Sequence, residues 1–223
     1  HALIDKDETL AQEVIDMDFD INRMEVELDE HILLLVAKRQ PAASDLRLVM
    51  SISKGVVDLE RIGDEAVKIA RMASKIAAEG KSAYGYAEVQ HLSNQVRLML
   101  NNSLEAFSQS NAEQAFEVMR NDSVVNTEYQ SAIRALMTYI MEDSRHVSKV
   151  INIMWILRSL ERIGDHAQNV AELVINYISG QDVRHSDYAM VEKAVQEAND
   201  RLAARQVSTL SANELETSDS DEG

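Results

Sequence analysis

Ser53–Ala70 reads SKGVVDLERIGDEAVKIA, and Met154–Ala171 reads MWILRSLERIGDHAQNVA. Both contain LERIGD, at Leu59–Asp64 and again at Leu160–Asp165, 101 residues further on. Apolar residues recur in both at three- and four-residue steps, the spacing of a helix with one buried stripe. The repetition predicts a chain built from two copies of one helical unit. A helix rises ~1.5 Å per residue, so Glu60 and Asp64 share a face roughly 6 Å apart, as do Glu161 and Asp165. Like charges so placed cost a helix about 0.2–0.5 kcal/mol unless something positive answers them.

The same helical spacing extends on either side. Leu10, Val14, Met17, Ile21, Met24 and Leu28 mark a helix over Glu8–Lys38 that Pro41 stops. A second runs from Leu46 to about Ala78, and Glu79–Tyr86, with Gly80 and Gly85, reads as the linker. Three more helices are expected at Tyr84–Ser110, Ala112–Met141 and Val147–Ile178. Trp155 and the methionines fall at core spacing. The stretch from His1 to Asn22 resembles Ala106–Asn126 at an offset of 104, yet only the second copy has a helix before it. The expectation is an all-α chain of two tandem antiparallel three-helix bundles, over 1–80 and 84–180, the first lacking its first helix. In the tail, 181–223, one helix over Tyr188–Ala204 is expected, then a disordered Gln206–Gly223 rich in Ser, Thr, Asp and Glu.

Composition agrees. Aromatics are 4% of 223 residues, there is one proline, and glycines number seven, which favours long aliphatic helices over sheet. The formal charge of −16 argues against nucleic-acid phosphates and anionic lipid, and for cations or a basic protein surface as counterpart. Cysteine is absent, which removes thiolate metal sites. The longest wholly apolar run, Ile32–Ala37, is far short of a membrane span, and a cytoplasmic protein is expected.

The first unit carries a further line of polar side chains. Asp18, Asn22, Glu25 and Asp29 step by four, three and four residues and so lie along one helix face, beside a neighbouring helix bearing Glu60 and Asp64. Facing helices that offer several carboxylate oxygens suit hard cations. The second unit keeps Asp122, Asn126, Glu161 and Asp165, but Tyr129 and Ile133 replace Glu25 and Asp29, so the first site should have more ligands. Ordinary ion pairs with Arg47, Arg61 and Arg162 are the competing reading. Gly63 and Gly164, costly inside helices, mark places where a neighbour comes close. Glu88 and His91 form a Glu-x-x-His triplet at a helix start, read as surface. His166 has Glu65 in its place in the first copy.

MEVELDE at Met24–Glu30, AKRQPAASDLRLVMSISK at Ala37–Lys54, the twin LERIGD phrases, LMTYIMEDSRH at Leu136–His146 and GQDVRH at Gly180–His185 together resemble the PhoU family of phosphate-uptake regulators. The resemblance covers nearly all of the chain to His185. It implies tandem three-helix bundles with metal ions held by E/D-x-x-x-D motifs at Glu25 and Asp29, Glu60 and Asp64, and Glu161 and Asp165. Asp122 and Asn126 fill the fourth slot. Magnesium, manganese, zinc or iron are the metals implied. The resemblance implies a protein that is not an enzyme. It implies a negative regulator coupling the ATPase subunit of the phosphate ABC transporter to a sensor histidine kinase, without direct contact to nucleic acid or insertion in a membrane. A homodimer is the expected assembly. A metal-dependent carboxylate-bundle enzyme and a metal-free helical scaffold are the alternatives.

Overall fold

The computed structural model describes residues 1–78, 85–143, 145 and 147–200. These form a π-helical turn, Ala2–Lys6, and then α1 (Glu8–Arg39), α2 (Ala43–Ala78), α3 (Tyr86–Gln109), α4 (Ala112–Glu142) and α5 (Val147–Ser179). A further helix, α6, runs over 188–200. Three of the boundaries have a clear local cause. Asp7 caps α1 by accepting from the Leu10 N–H at 2.9 Å, and Asn111 caps α4 from the Gln114 N–H at 3.0 Å. Gln40 ends α1 in the left-handed conformation, φ 44°, just before Pro41. Tyr86 begins α3 and is not part of the linker, and Gly85 stands just before it with φ 83°; 79–84 lie outside the described residues, as do the last residues of the expected tail helix, 201–204, and Gln206–Gly223.

The two halves are unequally closed. In the second, α3, α4 and α5 pack on one another in a three-helix bundle. The interior is aliphatic: Val150, Ile153, Leu157 and Leu160 of α5 face inward, with Leu92, Val96 and Met99 of α3 and Val118, Val125 and Leu136 of α4. In the first, α1 and α2 are an antiparallel pair, and α2 lies along α5. Ile52 and Val56 of α2, counterparts of Ile153 and Leu157, are only half-buried, bordering a cleft with Leu104 and Phe107 of α3 and Val170 of α5. That corrects part of the stripe reading. Met17, Met24, Leu28, Leu48 and Leu59 have helical core spacing but stand exposed. Trp155 is corrected too: it is 59% exposed, on the side of α5 away from the bundle core.

Gly63 and Gly164 mark closest approach, as expected. A methyl group on Gly63 would come within 3.2 Å of Ile21 of α1, and one on Gly164 within 3.3 Å of Val125 of α4. Ile21 and Val125 are themselves counterparts at the 104-residue offset, so both halves use one helix-packing device.

Candidate functional site

Each half brings one carboxylate group together where its two acidic helices meet. In the second half, Asn126 Nδ2 donates to Asp122 Oδ2 at 2.8 Å, leaving Asp122 Oδ1 buried with no donor. Glu161 is nearly buried. Arg158 binds its Oε1 at 2.7 Å, and its Oε2 has no partner. Burial, reinforced by the Asp165 charge, pushes the Asp122 carboxyl up to about 6. Burial also raises Glu161, helped by Asp165 and Asp122 and opposed by Arg158. Asp165 is raised by burial against the opposing charges of Arg158, His166 and Arg162. At these carboxylates burial outweighs any positive charge nearby and favours the protonated form.

The first half repeats the design. Asn22 Nδ2 donates to Asp18 Oδ2 at 3.3 Å, and Asp18 Oδ1 is again buried without a partner, aimed at Gly63. A Cβ at residue 63 would lie 3.3 Å from that oxygen, so glycine keeps the space beside it open. Burial raises the Glu60 carboxyl, with Asp64, Glu25 and Asp18 adding to it and Arg61, 3.6 Å away, opposing. Asp29, also assigned to this site from the sequence, is exposed. The first group thus gathers Asp18, Asn22, Glu25, Glu60 and Asp64, and the second Asp122, Asn126, Glu161 and Asp165. The second is the more buried and has two orphaned oxygens to the first's one.

Among the described residues no three Asp, Glu or His side chains already stand in metal-binding geometry. The donor set nonetheless fits a hard cation. Buried carboxylate oxygens without donors, with other carboxylates beside them, are the groups whose energy a cation lowers. Asp18, Glu25, Glu60 and Asp64 would hold it in the first half, and Asp122, Glu161 and Asp165 in the second.

Between the halves lies a polar seam that the spacing within single helices does not announce. Glu65 of α2 is 3% exposed and binds Arg162 at 3.1 Å and Lys68 at 2.9 Å. Burial alone would raise its carboxyl, but hydrogen bonds from Lys68 and Ser159 and the charges of Lys68 and Arg162 outweigh it, holding the group below its ordinary value. Nearby, His166 Nδ1 meets Asp58 Oδ1 at 2.8 Å, and Asn169 Nδ2 donates to the same oxygen at 2.9 Å. Glu65 and His166 are counterparts in the repeat, as are Asp58 and Ser159. The Ser159–Glu65 hydrogen bond and the His166–Asp58 contact are thus images of one another under a pseudo-two-fold axis between α2 and α5. The available signal was the set of positions at which the twin phrases differ. The Glu88–His91 triplet lies apart from both carboxylate groups, with His91 exposed and 3.0 Å from Glu128.

A sequence model of the PhoU domain matches residues 1–73 and 89–174, leaving out the stretch between the halves. The phosphate-specific transport system accessory protein PhoU homolog of Pseudomonas aeruginosa is 53% identical over 196 residues, which are 88% of this chain and 81% of that protein. The phosphate-specific transport system accessory protein PhoU of Escherichia coli is 43% identical over 184 residues, 82% of this chain and 76% of that one. Among solved structures, PhoU from Pseudomonas aeruginosa superposes with a TM-score of 0.79 at 54% identity, covering 81% of this chain and 86% of that chain. The phosphate transport system regulatory protein PhoU from Streptococcus pneumoniae superposes with a TM-score of 0.74 at 26% identity, covering 82% and 85%.

Proposed function

The chain belongs to the PhoU family, and from that premise we propose that it is a negative regulator of the phosphate-starvation response. In this reading it works in the cytoplasm as an adaptor. One surface engages the ATPase subunit of the phosphate ABC transporter and another the sensor histidine kinase, so that uptake and signalling are coupled. The relatives' names place them with the phosphate-specific transport system as accessory proteins, which supports a role beside the transporter and no catalysis of its own.

The observation that carries the site is the twofold recurrence of an Asn-tethered aspartate with one orphaned oxygen, Asp18 and Asp122, beside a Glu-x-x-x-Asp pair. We assign these clusters to divalent or iron cations, of the set magnesium, manganese, zinc and iron. A bound cation would tie α1 to α2 and α4 to α5, so its role here is structural or regulatory.

Deleting the gene in its own host tests the regulatory reading. Constitutive alkaline phosphatase in phosphate-rich medium is expected, and normal repression would sink it. Manganese titration of chelator-treated protein tests the site: if the combined Glu60→Ala, Asp64→Ala, Glu161→Ala and Asp165→Ala variant binds as wild type does, the assignment is wrong.

A further inference from the structure

The outer face of α1 carries an apolar line that no other described residue covers. Phe19, Val26 and Leu33 follow one another at seven-residue steps and are 74%, 59% and 70% exposed. Ile15 lengthens the line by one turn. At 3.6 residues per turn these positions fall on one side of the helix, roughly opposite Val14 and Ile21, which turn towards α2. The line is also distinct from the open side of the α1–α2 pair, where Met17 and Met24 stand.

Two observations separate it from scattered surface apolarity. First, the equivalent positions of α4, at the 104-residue offset, are Ser123, Gln130 and Met137, so the second half keeps this surface largely polar. Second, the chain itself seats a helix where the equivalent line begins. Met119, counterpart of Ile15, lies under α6, its carbonyl accepting from the Tyr188 hydroxyl at 3.2 Å. Tyr188 also packs its ring on Phe116.

Charge names the occupant. From Asp16 to Glu30, α1 has seven carboxylates and one cation, Arg23. Arg23 is turned to Asp20 at 3.0 Å and Glu27 at 4.0 Å, while Asp16, Asp29 and Glu30 border the apolar line. A second copy of the same face would bring carboxylates against carboxylates, and an anionic lipid surface would be repelled as well. We propose that this face docks a basic amphipathic helix of another protein, its apolar stripe on Phe19, Val26 and Leu33 and its lysines or arginines on the bordering carboxylates. The proposal does not depend on Glu60, Asp64, Glu161 or Asp165.

The test uses two fluorescein-labelled helical peptides of about 22 residues, long enough to follow the line from Ile15 to Leu33. Both carry leucine at seven-residue spacing, one flanked by lysine and the other by glutamate. Fluorescence anisotropy with the full chain should show binding of the lysine peptide alone, weakened by added salt. The Phe19→Ser, Val26→Gln, Leu33→Ser variant, which borrows two residues from the second half, should melt like wild type and bind about tenfold more weakly or worse. Asp16→Lys with Glu30→Lys should shift preference towards the glutamate peptide. Trp155→Ser, at an exposed apolar residue elsewhere, should change nothing. The proposal is overturned if the triple variant binds equally or both peptides bind alike. It is also overturned if a photo-crosslinker on the peptide captures Met17 and Met24, or if the triple variant turns a dimer of this chain into a monomer on sedimentation.

Discussion

Glu65 of α2 and Arg162 of α5 meet at 3.1 Å across the packing of the two halves, and the repeat does not copy the pair. Glu65's counterpart is His166, which binds Asp58 instead, at 2.8 Å. What the pseudo-symmetry axis does relate is His166 with Asp58 and Glu65 with Ser159, so the seam is made of chemically different contacts at equivalent places.

Glu65→Gln should lower unfolding free energy by about 1–3 kcal/mol, since it removes the charge that Lys68, Ser159 and Arg162 jointly satisfy. The sign with pH follows from its depressed carboxyl. Stabilisation is present above the unfolded value, about 4.3, and is lost as pH falls through the lower folded one. Urea melts should therefore separate variant from wild type at pH 7 and bring them together in strong acid.

Asp122 has the opposite sign. Its folded carboxyl sits at about 6, above the ordinary value, so its charge weakens the cation-free fold at pH 7 and that penalty fades as pH falls from about 6 towards 4. Asp122→Asn should raise the melting temperature of chelator-treated protein at pH 7 and leave it unchanged at pH 4. The same substitution should reduce the stabilisation that manganese confers, as read by thermal shift.

The two glycines should respond differently to Ala, although each gains up to about 1 kcal/mol of helix propensity. At residue 164 the new methyl group meets fully buried Val125 in a closed bundle, whereas at residue 63 it meets the half-buried Ile21 side chain. Gly164→Ala should be destabilising, and less stable than Gly63→Ala by about 1 kcal/mol. Equal melting of the two variants would count against this account.

Paired carboxylate deletions should act locally. Glu60→Ala with Asp64→Ala should abolish cation-dependent protection of α1 and α2 amides in hydrogen exchange, and Glu161→Ala with Asp165→Ala that of α4 and α5. Loss in both halves from either pair would mean a single shared site.

Most of the fold is legible in the amino-acid sequence, for reasons particular residues make plain. Pro41 and the run of aliphatic steps set α1 and α2, and the observed ends differ from the expected ones by a few residues. Glu60 with Asp64, and Glu161 with Asp165, can be found because their spacing within one helix carries the information. What is not legible depends on partners from elsewhere in the chain. Met17, Met24 and Trp155 have core periodicity, but periodicity does not say whether another helix lies over them. Asp29 shares a face with Glu25 yet stands exposed where Glu25 is half-buried. Asp58 and Glu65 acquire roles only once the register of α2 along α5 is known.

The seam's uneven chemistry has a bearing on assembly. Because α2 and α5 are related by a two-fold axis, each could in principle pair with a second copy of itself from another molecule. Two copies of α2 would set Glu65 against Asp58, carboxylate to carboxylate, and two copies of α5 would set His166 against Ser159 and leave Arg162 without Glu65. Only the mixed pairing answers each charge. The duplicated halves are thus matched as a lock is to its own key, and a chain caught half-folded is steered to its own second half and away from a neighbour's first.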